Sequence, residues 1–488
     1  MSQIIKPPLK TPGVYINELP LQSQITEEES AVPAFIGYTE KAMEHIAGDL
    51  HLVAKKISSM AEYEQLYGRS GGIQFNKVTL DAKNNVINSE IAKPNFLLYY
   101  SLRLYFSNGG GSCYIVSIGN YGTALQKADF MQGLDIIKKE NGPTLLLFPE
   151  AVNLPGNDLY EIQQKSLQQA EELADRFCIL DLKFANTKLL HDAVVNEFRN
   201  NIGLAHLKYG AAYSPFLKAN TELHIPFKNW KDIIWKNGEK INLKDLTGDP
   251  AIQQKITELE SAIAANDVAV MKQEAELLNL FPVMKTIAFQ LNQTPLTLPP
   301  SPAIAGKYCE VDETRGVWKA PANVSLVNVN ELAYTIRDNE QDDLNIDVNA
   351  GKSINAIRKF TGRGFLIWGA RTLAGNDNEW RYIPVRRFAN LVQESVKKSI
   401  MWAVFEPNNA VTWTKLRAEI DNYLMSKWRE GALQGAKPDQ AFFVKVGLGQ
   451  TMTAQDIQDG NLIVEIGMSA VRPAEFIILR FSIKCQAG

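Results

Sequence analysis

With 488 residues the chain is too long for one hydrophobic core, which sets an expectation of two or three domains. Its 45% hydrophobic and 22% charged residues are those of a folded globular protein and exclude disorder as the main state. The balance of 51 basic against 54 acidic residues, net −3, removes any general electrostatic drive toward nucleic acid or anionic membranes.

The opening Met1-Ser-Gln-Ile-Ile-Lys6 lacks the continuous apolar stretch and small-residue cleavage site of a signal peptide. No window approaches the ~18–20 apolar residues of a membrane span, so direct membrane insertion is not expected. Lys6-Pro-Pro-Leu-Lys-Thr-Pro-Gly13 reads as an extended, proline-stiffened arm leading into a short strand, Val14-Tyr15-Ile16.

From Ala31 to Ser214 short apolar runs alternate with helical stretches. The runs are Ala34–Gly37, Cys113–Ile118, Thr144–Phe148, Phe177–Asp181 and Gly210–Tyr213, with helices expected at about 93–107, 124–140, 158–175 and 187–204. Strand then helix with short links predicts a largely parallel sheet covered by helices, an α/β domain over 31–216. The pattern then changes over 217–297, an insertion with a helix-forming run from Ile252 to Asn292. Ile252, Ile256, Leu259, Ile263, Val270, Leu277 and Leu280 keep helical spacing, with a break at Asn266-Asp267. This run reads as a helical hairpin packed on its own domain, with a coiled-coil contact as the alternative. Leu298-Pro-Pro-Ser-Pro302 marks its exit, and 298–344 is read as a return segment.

The remainder, 345–488, predicts an α+β arrangement. One amphipathic helix runs from Arg386 to about Phe405, before Pro407. Another runs from Thr412 to Glu430, with Trp413, Leu416, Ile420, Leu424 and Trp428 as its apolar stripe and Gly431 as its C-terminal cap. Lys415, Glu419, Asn422, Ser426 and Arg429 are placed on its polar face. Strands follow at Ala441–Val446 and Leu462–Ile466. In the terminal stretch Ile477, Leu479, Phe481 and Ile483 share one face, while Ile478, Arg480, Ser482 and Lys484 share the other. That strand has no hairpin partner after it. An open β-edge at each terminus is either hidden or used to join neighbours, and the second reading is taken here.

Enzyme motifs are largely missing. Gly351-Lys352-Ser353 resembles the end of a phosphate loop, but Ile346 stands where the first glycine belongs. Histidines 45, 51, 191, 206 and 224 lack zinc-site spacing, and no serine sits in a Gly-x-Ser-x-Gly elbow. The acidic stretch Asp338-Asn-Glu-Gln-Asp-Asp343 lacks the glycine of a calcium loop and reads as a solvated turn. Cys113, Cys178, Cys309 and Cys485 lie far apart, as reduced thiols do. No catalytic residue, cofactor or metal is therefore assigned.

Gly316-Val-Trp-Lys-Ala-Pro-Ala-Asn323 resembles a block found in the contractile tail sheath family of phages and related contractile injection systems. Around it lie Leu298-Pro-Pro-Ser301, Ala303-Ile-Ala-Gly306, Thr361-Gly-Arg-Gly364, Trp368-Gly-Ala-Arg-Thr372, Glu379-Trp-Arg-Tyr-Ile-Pro-Val-Arg-Arg387 and Phe405-Glu-Pro-Asn408. The endings Glu465-Ile-Gly467 and Val471-Arg-Pro-Ala-Glu-Phe476, and the opening Thr11-Pro-Gly-Val-Tyr15, are similar to those of the family as well. Gly447-Leu-Gly-Gln-Thr451 departs from the more polar family pattern, and the 217–297 insertion carries none of its motifs.

The resemblance implies a multidomain α/β and α+β fold. An inner α+β domain would be built from both chain ends, 1–30 and 345–488, with an outer α/β domain inserted between them. Val14, Tyr15 and Ile16 on one arm and Ile477, Leu479, Phe481 and Ile483 on the other become the candidates for strand exchange between subunits. Lys415, Glu419, Asn422 and Arg429 become candidates for facing an inner tube. The implied partners are other copies in stacked, hexameric rings of a helical sheath, an inner tube protein, and baseplate and tail-terminator proteins, with no nucleic acid. The implied function is structural rather than enzymatic: a metastable sheath that contracts to drive a tube through an envelope. Assembly is expected in the cytoplasm, as part of a phage tail or tail-like particle that is released or membrane-anchored. The rival readings are an α/β enzyme with an unrecognised site and a strand-capturing binding module.

Overall fold

Parallel strands cannot be joined by hairpins, and this chain supplies a helical crossover for successive strands of its main sheet. The computed structural model describes residues 25–475 apart from 93, 222, 224 and 266. The described strands are β1 (Pro33–Thr39), β2 (Ala54–Ile57), β3 (Phe75–Leu80), β4 (Val86–Ile91), β5 (Cys113–Asn120), β6 (Leu145–Leu147), β7 (Phe177–Asp181), β8 (Gly210–Ser214), β9 (Leu217–Ala219), β10 (Ile234–Lys236), β11 (Glu239–Ile241), β12 (Leu296–Leu298), β13 (Val329–Leu332), β14 (Ile354–Phe360), β15 (Gly364–Trp368), β16 (Phe442–Val446) and β17 (Val464–Met468).

The main sheet has the order β15-β14-β8-β7-β6-β1-β5-β2. Its six central strands run parallel, and β2 and β15 close the edges antiparallel. The five apolar runs expected as strands are β1, β5, β6, β7 and β8. Four of them, β1, β6, β7 and β8, are buried along their whole length, as strands covered on both faces must be. The crossovers Lys127–Ile137, Asp158–Leu173 and Lys188–Asn201, and the helix Leu98–Ser107 before β5, fall in the expected windows. β14 and β15 join this sheet from residues grouped by sequence with the C-terminal part.

Two smaller sheets, β11-β10-β3-β4 and β12-β9-β13, lie outside the strand–helix alternation and were not anticipated. The helical run of the insertion is three helices, Pro250–Ala264, Val270–Leu280 and Pro282–Asn292. Its second break falls at Pro282, which opens the third helix, where a missing N–H costs nothing. Ile256, Leu259, Leu277, Met284, Ile287 and Leu291 are buried and continuous with the main core, the packing expected of a segment folded onto its own domain. The acidic stretch is a helix, Asp338–Asn345, in place of the expected turn. Glu340 accepts the Arg337 N–H at 2.8 Å, and buried Leu344 anchors the other end.

The described residues divide into two compact units, the smaller holding 25–27 and 395–469 and the larger 28–394 and 470–475. In the smaller, the helix Ala410–Arg429 is capped by Asn409, whose side chain accepts from the N–H groups of Val411 and Thr412. Gly431 follows with φ +83°, the left-handed turn that ends such a helix. Leu416, Ile420 and Leu424 are fully buried with the inward face of β16. None of the described helices is long and apolar enough to cross a membrane.

In the larger unit the helices Leu98–Ser107 and Ser301–Arg315 approach at Gly306. A Cβ there would lie 2.6 Å from the Tyr105 carbonyl oxygen and 3.0 Å from that of Asn108. Backbone cannot yield as a side-chain tip can, so Gly306→Ala should destabilise the larger unit by about 1–3 kcal/mol. A lowered denaturation midpoint in urea checks this.

Candidate functional site at the roots of the chain ends

β16 and β17 form an antiparallel ribbon in register from Phe442↔Met468 to Val446↔Val464. Phe442, Val444 and Val446 point inward and are buried, while Phe443 is 43% exposed. β17 is nowhere fully buried. Each strand has one partner among the described residues, so alternate N–H and C=O groups of both face away from the pair. A two-stranded ribbon is marginal by itself and needs further strands or a packed face.

After the ribbon the chain runs through residues 470–475, and at Glu475 it is held by a dense set of bonds. The Glu475 carboxylate accepts from Arg371 Nε at 2.8 Å and Nη2 at 2.6 Å, from Asn345 Nδ2 at 2.9 Å and from the Tyr382 hydroxyl at 3.2 Å. Such forked guanidinium–carboxylate geometry is the strong form of the interaction. Arg371 is 5% exposed and also donates to the Asn345 carbonyl at 3.2 Å. Burial opposes ionisation of Glu475, but the bonds from Arg371 and Asn345 outweigh it and hold the carboxyl below the usual range. The clamp is therefore complete above the ordinary glutamate pKa and is lost as pH falls through the depressed one.

The other chain end is pinned in a similar way. In the smaller unit, the Thr26 N–H donates to Ser399 Oγ at 3.1 Å, and Glu27 pairs with Lys427 and accepts from the Tyr423 hydroxyl at 3.4 Å. In the larger unit, Ser30 Oγ donates to Asp312 Oδ2 at 2.6 Å, and Arg387 donates to Asp312 Oδ1 at 2.9 Å and to the Ser30 carbonyl at 3.0 Å. The Arg387–Asp312 pair is nearly solvent-free at 2% and 5% exposure, and the guanidinium lies over the Tyr308 ring at 4.5 Å. A buried pair of this kind is costly to break by removing one partner.

The strand-exchange candidates Val14, Tyr15, Ile16, Ile477, Leu479, Phe481 and Ile483 lie outside the described residues. Of the four residues expected on the tube side, Lys415, Asn422 and Arg429 are exposed. Lys415 Nζ sits 3.6 Å from the centre of the Trp402 ring. Glu419 departs from the expected polar face: it is 5% exposed and accepts from Trp402 Nε1 at 3.0 Å. Position 419 stands three residues after Leu416 and four before Tyr423, both buried, so the inward face is wider than the apolar stripe alone marks.

Polar groups at the strand ends are engaged in holding backbone. Glu150 accepts from the N–H groups of Tyr38, Leu97 and Leu98 at 2.7, 2.8 and 2.9 Å, and burial pushes its carboxyl up to about 7. Asp181 accepts from the Ser301 N–H at 2.9 Å and from its hydroxyl, and burial pushes it likewise up to about 7. His191 Nε2 meets Ser214 Oγ at 2.9 Å with the Tyr334 ring stacked on the imidazole. At the phosphate-loop lookalike, the Lys352 ammonium is turned inward onto the Arg199 carbonyl, and Ser353 Oγ donates to the Asn345 carbonyl at 2.6 Å. These contacts pin loops to the sheet.

Residues 375–484 match the phage tail sheath C-terminal domain. The chain is 26% identical over 182 residues to the tail sheath protein of Vibrio phage KVP40, covering 36% of this chain and 25% of that protein. It is 28% identical over 133 residues to the tail sheath protein of Enterobacteria phage T4, covering 27% of this chain and 19% of that one. The match thus spans a quarter or less of these curated relatives. Similarity to two solved structures runs nearly end to end. One is a chain of the anti-feeding prophage baseplate, 6-fold symmetrised, at TM-score 0.63 and 29% identity, covering 98% of this chain and 100% of that chain. The other is from the contracted-state sheath complex of the extracellular contractile injection system PVC, at TM-score 0.63 and 29% identity, covering 98% of each chain. The chain is thus similar to contractile tail sheath proteins, in sequence over its C-terminal part and in fold nearly end to end.

Sequence reasoning missed the two anchors, because Arg371 and Glu475 stand 104 residues apart and Asp312 and Arg387 stand 75 apart. The signal was nonetheless present: Arg371, Tyr382, Arg387 and Glu475 all fall within the motifs that carry the family resemblance. Glu475→Gln keeps the shape but leaves the Arg371 fork without its charged partner, a loss of about 1–3 kcal/mol at the arm root. Limited proteolysis should then cut C-terminal to residue 469 several times faster than in the parent protein, with the rest of the chain unchanged.

Proposed function

We propose that this protein is a sheath subunit that polymerises helically around an inner tube and contracts from a metastable extended state to drive that tube through a target envelope. Subunits are linked by strand exchange: the arm holding Val14–Ile16 and the arm holding Ile477, Leu479, Phe481 and Ile483 add to the ribbons of neighbouring copies. The observation that carries the reading is the β16–β17 ribbon, unpaired on both sides among the described residues, with Glu475 clamped just before one arm. Backbone pairing tolerates rotation of one subunit against the next while keeping them connected. A head-to-tail link of this kind repeats into rings and helices, and hexameric rings stacked along the tube are the arrangement proposed.

Contraction in this account draws on the free-energy difference between two packings of one chain, so no nucleotide is consumed at firing. The tube side is assigned to the helix Ala410–Arg429 through Lys415, Asn422 and Arg429, whose exposed polar and charged groups make weak contacts that break as the sheath moves. Baseplate and tail-terminator proteins are the partners at the two ends of the polymer. Assembly takes place in the cytoplasm, and the particle is a phage tail or tail-like device, released or membrane-anchored.

Deleting residues 1–18 or 476–488 tests the linkage. Both truncated proteins should stay folded, with melting temperatures near that of the parent, yet fail to form the striated tubes or rings seen for the parent by negative-stain microscopy. Tubes of parental length from either truncation would contradict strand exchange.

A further inference from the structure

A cleft of about 270 Å³ in the larger unit gathers Arg315, Lys319 and Arg472 around Trp318 and Pro473, and no carboxylate is among its lining residues. None of the three cations makes a hydrogen bond or ion pair among the described residues. Arg315 ends the helix Ser301–Arg315, Lys319 sits in the turn after it, and Arg472 precedes the clamped Glu475. Three like charges held around one cleft repel each other, and that cost is offset only when anionic groups enter. With a net charge of −3 for the whole chain, this concentration is not a general property of the surface.

The chain has two dense acidic runs that could supply those groups. The first, Glu27-Glu28-Glu29, is already engaged: Glu27 pairs with Lys427 and Glu29 with Lys56 at 2.8 Å. The second is the helix Asp338–Asn345, which exposes Asp338, Asp342 and Asp343. Asp338 and Asp342 are one helical turn apart and share a face. Asp338 meets Arg358 yet keeps its side chain 92% exposed, and Asp342 has no ion pair among the described residues.

We propose that the Arg315–Lys319–Arg472 cleft receives the acidic helix Asp338–Asn345 of a second copy of this chain. The inference rests on the polymer described above, where a head-to-tail contact joins two different patches of one surface. Charge complementarity of this sort sets which surfaces meet and in what register, more than it adds affinity. The cleft therefore specifies a lattice contact in addition to the proposed strand exchange.

Reciprocal charge reversal is the test, with tube yield by negative-stain microscopy and sedimentation as the readout and thermal melting as the check on folding. Arg315→Glu with Lys319→Glu should lower tube yield about tenfold, and Asp338→Lys with Asp342→Lys should do the same, since like charges then face each other. The chain carrying all four changes should recover most of the parental yield. If either reversal leaves the yield unchanged, or if the fourfold variant assembles no better than the twofold ones, the pairing is wrong. The second result would mean that the cleft takes anions from another source, such as a different partner or free phosphate. Should the parent protein itself form no polymer, the sheath reading falls and takes this pairing with it; a parent that polymerises without rescue overturns the pairing alone. A reversal that lowers the melting temperature is replaced by Lys319→Glu against Asp342→Lys, judged by the same rescue.

Discussion

A β-ribbon of two strands leaves half of its backbone hydrogen-bonding capacity turned outward, and this constraint organises the rest of the molecule. Water can satisfy those groups, but only by leaving a template for any extended chain that arrives. The protein places the ribbon in its smaller unit and fixes the chain just inside each terminus. Arg371, Asn345 and Tyr382 converge on Glu475, while Asp312 and Arg387 converge on Ser30. In the proposed linkage, an arm joining subunits would need such a fixed root, because a pull on a loosely attached segment peels it from its own fold. Placing a charge-assisted fork at one root and a nearly dry ion pair at the other meets that requirement with few residues.

The larger unit reads as scaffold. Its parallel sheet offers carboxylates at strand ends, where enzymes of this architecture commonly keep their chemistry. Glu150 and Asp181 instead spend their oxygens on backbone N–H groups and on Ser301, which joins the strand ends to the helices that cover them. Burial raises both carboxyls, so their contribution to stability is fully present below the ordinary carboxylate range and fades as pH rises toward 7. These two groups tie the strand ends to the segments packed against them.

Much of this was legible in the sequence, and the reasons differ from element to element. The strands of the main sheet announce themselves because a strand buried on both faces is a short, unbroken apolar run, as in Leu145–Leu147 or Phe177–Asp181. The crossover helices follow from the spacing between those runs. β3 and β4 escape notice because they are partly exposed and mix Asn, Lys, Thr and Ser with few apolar residues. Pro282 was passed over inside a helical pattern that it in fact restarts. Glu419 was misplaced because a stripe of apolar residues marks only the middle of a buried face, and a carboxylate at its margin can turn inward when an indole N–H awaits it. The ion clusters at the arm roots were illegible as contacts, since nothing local links residues so far apart, although Arg371, Tyr382, Arg387 and Glu475 lie in the motifs that carry the family resemblance.

The central claim is that the outward edges of β16 and β17 are filled by chain ends of other copies. Amide hydrogen exchange across residues 442–468, compared between dispersed subunits and assembled tubes, addresses it directly. The account predicts rapid exchange at alternate positions of both strands in the dispersed protein and strong protection of those same amides in the tubes. Protection already complete before assembly, or none gained on it, would contradict the account.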